Sequence, residues 1–236
     1  MWWLALIPLI VLLVIVIVIV VAASSYHDKG DYSDGGGTQV GGNQETHFFM
    51  PATDKAGIYG ERTANYHIRP LLRNDEYLMA NLLLPLKNGR KAEVDCVVIS
   101  RKGIFCIETK NWVGHIHGND EDEYWVQKYD DPCRRNREHK NPIKQNEAHC
   151  EILDRVLNYR YHVENVVLFV GHEFLLGVDS DCAYTVSQFK NYYRNLGDGD
   201  IHEAELKQIY QKLLRYVATE AELEQHKNDV KSRYDN

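Results

Sequence analysis

The chain has 236 residues and a net charge of −7, which excludes a protein that coats nucleic acid by overall electrostatic attraction, though not one with a locally positive cleft. Five cysteines, an odd number with no Cys-x-x-Cys pair, argue against a disulfide framework. Cys96 and Cys106 fall in apolar stretches and read as buried thiols.

Residues 2–23 are apolar apart from Pro8, and at about 1.5 Å per residue they are long enough to cross a hydrocarbon core of about 30 Å. No Lys or Arg precedes the run, and it is longer than the core of a signal peptide, so a single uncleaved transmembrane helix over residues 1–23 is expected. Ala22-Ala23-Ser24 is the cleavage-site alternative. Trp2, Trp3 and Tyr26 suit the membrane interfaces, and Lys29 leans the orientation toward a cytoplasmic soluble domain. The expectation is therefore a single-pass membrane protein.

Residues 24–53 turn to Gly, Ser, Asp and Thr, with Gly35-Gly36-Gly37 and Gly41-Gly42, the composition of a flexible linker. Phe48-Phe49-Met50 either docks where the domain begins or touches a membrane surface. Residues 55–69 read as a helix closed by Pro70, with Ile58, Ala64 and Ile68 on its buried side. Residues 76–86 form the next strand, and Lys87-Asn88-Gly89-Arg90 is a hairpin turn with Asn-Gly at its centre.

That turn leads into residues 93–110, EVDCVVISRKGIFCIETK, which read as two strands around Ser100-Arg101-Lys102-Gly103, with Gly103 free to adopt positive φ. A two-residue loop of Arg101 and Lys102 sets Ser100 opposite Gly103 and Asp95 opposite Glu108. A glycine bulge would shift this by about one residue. Glu108 and Lys110, two apart, share one sheet face. Neighbouring carboxylates repel, and a divalent cation with a taste for hard oxygen, Mg²⁺ or Mn²⁺, compensates them. The lysine then orients a water or stabilises charge on a phosphate. Glu93, two residues before Asp95, reads as an edge charge.

Further on, residues 114–118 and 124–127 predict a second hairpin around an acidic turn at 119–123. His115 and His117 alternate on one face without a third zinc ligand, and Cys133, His139, His149 and Cys150 lack zinc spacing, so they read as unlinked. Residues 134–144 concentrate Arg134, Arg135, Arg137, Lys140 and Lys144 against the single acid Glu138: either a solvated loop or a grip on a phosphate backbone. Asn141-Pro142 opens a helix as N-cap and first residue, with Ile143, Ala148, Ile152 and Val156 toward the core. Residues 164–170 read as a buried strand, 183–186 as a short strand and 187–193 as a helix start. Residues 203–218 carry helical spacing through Leu206, Ile209, Leu213, Leu214 and Val217, and 220–236 form a polar C-terminal tail, a fraying helix or a free end.

The arrangement Asp95…Glu108-Thr109-Lys110 resembles the PD-(D/E)xK nuclease core, and more narrowly the nuclease-related domain (NERD) family. The residues that carry the likeness are Gly60-Glu61, Glu93-Val94-Asp95, Lys102-Gly103-Ile104-Phe105, Ile107-Glu108-Thr109-Lys110-Asn111-Trp112, Gly114-His115-Ile116-His117-Gly118, Tyr124-Trp125 and Asn141-Pro142-Ile143-Lys144-Gln145. They span residues 57–155, within a domain expected over 54–219. The resemblance implies an α/β fold with a restriction-endonuclease-like mixed sheet flanked by helices. It also implies metal-dependent hydrolysis of nucleic acid, DNA ahead of RNA. Asp95, Glu108 and the Thr109 carbonyl would hold the metal, and Lys110 would position the water. Glu61 and Gln145, which on their own read as surface side chains, would reach the cleft. No recognition motif accompanies them, which leaves targeting to a partner protein. Two other readings stand beside the hydrolase: an inactive nuclease-fold interaction or DNA-binding module at the membrane, and a purely structural Glu108–Lys110 salt bridge.

Overall fold

The computed structural model describes residues 55–171 and 177–234, with side chains from Arg62 to Arg233. The expected membrane helix and linker lie outside these residues, and no helix among the described residues is long and apolar enough to cross a membrane. The fold is mixed α/β with two mixed sheets. Helix α1 (Lys55–Ile68) and a 3-10 turn through Pro70 precede strands β1 (Tyr77–Pro85), β2 (Lys91–Ser100) and β3 (Gly103–Lys110). Strands β4 (His115–Asn119), β5 (Tyr124–Lys128) and β6 (Arg137–Lys140) lead to α2 (Pro142–Val156), and β7 (Val163–Phe169), β8 (Gly177–Asp179) and β9 (Ala183–Thr185) follow. Helices α3 (Val186–Asn195), α4 (Glu203–Leu214) and α5 (Glu220–Tyr234) complete the described chain.

The larger sheet has the order β1-β2-β3-β7-β9. Its first three strands are the expected antiparallel meander; β7 then adds parallel to β3 through the α2 crossover, and β9 parallel to β7. The smaller sheet runs β6-β5-β4-β8. On one face of the larger sheet Ala64 and Ile68 of α1 and Phe189 and Tyr193 of α3 bury Val98, Phe105 and Ile107. On the other face Ile152 and Leu153 of α2 and Leu206, Ile209 and Leu213 of α4 bury Val97, Ile99 and Cys106. Trp125 and Ile116 of the smaller sheet pack with Val167 and Phe169 of β7.

The β2–β3 hairpin closes as a two-residue loop, Ser100 pairing with Gly103, and Gly103 takes φ +144°. The buried Glu76 carboxylate holds the loop, accepting from the Arg101 amide at 3.0 Å and the Arg73 amide at 2.8 Å. The side-chain alternation of a regular strand breaks once in β1 and in β2. Val94 shares a cluster with Val97 and Ile99, and Leu82 with Met79, so both strands switch faces around Asn81 and Asp95. Asn81 has φ +56°, which produces the switch without changing the register on either side.

Helix α2 begins where the Asn-Pro pair predicts: Asn141 Oδ1 accepts from the Ile143 amide at 2.9 Å, with Pro142 at the first position. Asn146, fully buried, bolts this helix to the sheet. Its Nδ2 donates to Cys106 O at 2.8 Å, Asn165 Oδ1 at 2.8 Å and Val166 O at 3.1 Å. Ala148 is exposed rather than core-facing, because α2 turns Asn146, Cys150 and Leu153 inward instead. The last stretch also departs from the periodicity. Helix α4 stops at Leu214, which is exposed, and Val217 bridges to Leu82 as extended chain. The backbone of the β1 edge captures this stretch, Leu83 N donating to Tyr216 O at 2.8 Å and Ala218 N to Asn81 O at 2.9 Å. The polar C-terminal residues are ordered as helix α5, pinned where Leu223 buries against Leu83 and Ala218. All five cysteines are free thiols, with Cys96, Cys106 and Cys150 buried.

Candidate active site

Strand alternation and hairpin closure place the first two groups. The paired ladder ends at Cys96 and Ile107, so Asp95 and Glu108 occupy the next facing positions. Asp95 Oδ2 accepts from the Thr109 amide at 2.9 Å, which ties the carboxylate to β3. Glu108 is only 4% exposed. Its Oε1 accepts from Lys110 Nζ at 2.6 Å and from Gln145 Nε2 at 2.8 Å, and Gln145 Oε1 accepts from the same lysine at 3.2 Å. Gln145 stands on the first turn of α2, so its reach depends on the Asn141 cap and the Asn146 bolt that set the helix on the sheet.

The structure adds His149, one turn beyond Gln145. Its Nδ1 lies 3.5 Å from Glu108 Oε2, an ion-pair distance without hydrogen-bond alignment, and this buried nitrogen has no hydrogen-bond partner. The four-residue spacing from Gln145 is the signal for it in the sequence, one that zinc-ligand spacing does not reveal. Burial pushes the Glu108 carboxyl upward, but the His149 ring and the Lys110 ammonium outweigh it and hold the group below its ordinary value. Lys110 carries more of this than His149, since only the lysine makes an aligned contact.

Asp95, Glu108, Gln145 and His149 line a cleft of about 890 Å³. Glu93 lines it as well, half-buried rather than an exposed edge charge. Burial raises its carboxyl above the ordinary value against the lowering effect of Lys227 and His226. Of the basic stretch, Lys140 and Lys144 line the cleft, whereas Arg134, Arg135 and Arg137 are exposed and do not. Arg134 stacks on the Tyr129 ring at 3.7 Å. The backbone of Glu61 is in α1, and its side chain lies outside the described residues. His115 pairs with Asp130 and His139 with Gln127, away from Glu108.

Among the described residues no three His, Cys, Asp or Glu side chains form a complete ligand set for a metal. Asp95 and Glu108 are two hard-oxygen donors, and the His149 Nδ1, 3.5 Å from Glu108 Oε2, is a buried nitrogen without a hydrogen-bond partner beside them. That donor set fits a cation which takes one or two carboxylates and completes its shell with water and phosphate, the habit of Mg²⁺.

Fold and site together make a mixed α/β domain that is similar to the nuclease-related family. Residues 56–170 match the family model described as nuclease-related domain (NERD), which covers both carboxylates, Lys110, Gln145 and His149. The chain is also 23% identical over 175 residues to an uncharacterized protein of Bacillus anthracis, covering 71% of this chain and 80% of that protein. No solved structure matches.

Proposed function

We propose that this protein is a metal-dependent hydrolase of nucleic-acid phosphodiester bonds, built on a restriction-endonuclease-like core and tethered to a membrane by residues 1–23, with its soluble domain in the cytoplasm. The observation that supports it is that Asp95, Glu108 and Gln145 line one cleft, with Lys110 and Gln145 hydrogen-bonded into a network around Glu108. A structural salt bridge accounts for Glu108 and Lys110 alone. It leaves Asp95 at the next strand and Gln145 on a separate helix without a reason to be there.

Asp95, Glu108 and the Thr109 carbonyl would hold Mg²⁺ or Mn²⁺. When bound, that ion supplies charge stabilisation at a phosphoryl oxygen and acidifies a water. The residues supply position. Asp95 is fixed by the Thr109 amide, and Glu108 by Lys110 and Gln145. Lys110 is held between two oxygen acceptors, where its ammonium orients the attacking water and offsets charge on the non-bridging phosphate oxygens. In the reaction the water oxygen bonds to phosphorus as the water gives up a proton, and one phosphate ester bond breaks, its oxygen leaving on the nucleotide chain and taking up a proton.

The test is metal-dependent cleavage of single- and double-stranded DNA and RNA by the full-length protein in detergent micelles, with Lys110→Ala as the variant. Turnover is expected to fall by about 100-fold or more, with nucleic-acid binding changing far less. Full turnover in Lys110→Ala refutes the assignment.

A further inference from the structure

Helix α5 lies beyond the segment that matches the nuclease-related domain, yet it forms a wall of the cleft. His226, Lys227, Val230 and Lys231 all line it. Its course is set by backbone rather than by chance packing. Residues 216–218 bond to the edge of β1, with Ala218 N donating to Asn81 O, and Asn81 is the position across the ladder from Asp95. Thr219 then caps the helix in a reciprocal pair with Glu222, Thr219 N donating to Glu222 Oε2 at 2.9 Å and Glu222 N to Thr219 Oγ1 at 3.3 Å. Leu223, fully buried, anchors the first turn. Lys227 and Lys231 follow at four-residue steps, so one helix face presents them in succession.

Lys91 at the start of β2 and Lys140 and Lys144 beside α2 complete five lysines around the cleft, in a chain whose net charge is −7. Local pairing accounts for only some of them: Lys91 Nζ lies 4.0 Å from Glu222 Oε1, and Lys227 faces Glu93. Glu108 is bonded to Lys110, Asp95 to the Thr109 amide, and Lys144 Nζ donates to Glu121 O at 2.6 Å rather than to a carboxylate. Glu93 is the acid that Lys227 and His226 offset. Lysines drawn from three separate parts of the chain to a single concavity are what a polyanionic backbone requires, whereas a surface that only needed solubility would spread them.

We infer that α5 is a phosphate-gripping arm, in which Lys227 and Lys231, together with Lys140 and Lys144 of the same cleft, hold the nucleic-acid backbone at the Asp95–Glu108 floor. This rests on the nucleic-acid reading above and adds a binding element outside the matched domain.

The experiment measures binding of a fluorescein-labelled single-stranded DNA oligonucleotide to the full-length protein in EDTA by anisotropy, across salt. Lys227→Ala/Lys231→Ala is compared with Lys207→Ala/Lys212→Ala, which removes the same charge from α4 away from the cleft. At about 0.7 per phosphate contact, losing two contacts flattens the log–log salt slope by about 1.4. Wild type then loses about sevenfold more affinity than the α5 variant between about 50 and 200 mM salt. The α4 control keeps the wild-type slope, and Lys227→Arg/Lys231→Arg restores it. Equal slopes in wild type and the α5 variant, or no binding by wild type, overturn the arm. A wild type that binds with the expected slope difference but cleaves nothing with Mg²⁺ supports the arm and sinks the hydrolase.

Discussion

Lys110→Ala tests how the Glu108 charge is carried, independently of any catalysis. The side chains of Glu108 and Lys110 are 5% and 16% exposed, and their contact is 2.6 Å. Removing one partner of such a pair costs about 3–5 kcal/mol, mostly because the other charge stays buried and uncompensated. Gln145 still donates to Glu108, and the cleft admits water, so the lower end, about 3 kcal/mol, is expected. At about 2–4 °C per kcal/mol for a domain of this size, the melting temperature falls by about 6–12 °C in EDTA. Glu108→Gln on the Lys110→Ala background removes the stranded charge and recovers most of that loss. Mg²⁺ should also recover part of the loss in Lys110→Ala while leaving Glu108→Gln unmoved, because the cation then neutralises the same carboxylate. Differential scanning fluorimetry reads all of these. A fall below about 2 °C in EDTA, or no recovery in the double variant, would show that Glu108 is solvated and that the network does not carry its charge.

Other predictions concern the frame that holds the site. Gly118→Ala places a Cβ 2.4 Å from the ring of the fully buried Trp125, so it should cost about 1–3 kcal/mol and alter the near-UV circular dichroism. Thr185→Val keeps the shape of the buried N-cap of α3 but loses its bond to the Gln188 amide, and chemical denaturation should show a loss of about 1 kcal/mol. The Arg101 guanidinium, by its hydrogen bond, holds the Asp75 carboxyl below its ordinary value at the hairpin turn. A depressed folded value means the stabilisation is present above the unfolded value of about 3.9 and is lost as pH falls through the folded one. The acid limb of melting temperature against pH should therefore be shallower in Asp75→Asn than in wild type.

The elements that depend on neighbours along the chain are legible in the amino-acid order itself. Val and Ile enrichment locates β2 and β3, Gly103 closes their loop, and that closure alone puts Asp95 across from Glu108. Asn141 and Pro142 announce the start of α2, and two-residue spacing puts Glu108 and Lys110 on one face. These are short-range matters of backbone sterics and hydrogen bonding, which a few adjacent residues decide. The tertiary structure decides how far those pieces lie from one another. The parallel β3–β7 pairing and the Asn146 contacts rotate α2 so that Gln145 and His149 both face Glu108. The β1 edge stops α4 at Leu214, overriding a helical period that continues through Val217, because its unpaired backbone groups capture residues 216–218. The same capture turns polar residues 220–234 from an apparent tail into a wall of the cleft. Nothing in their own weakly amphipathic pattern requires this; Leu223 alone supplies the anchor once Leu83 and Ala218 are in place.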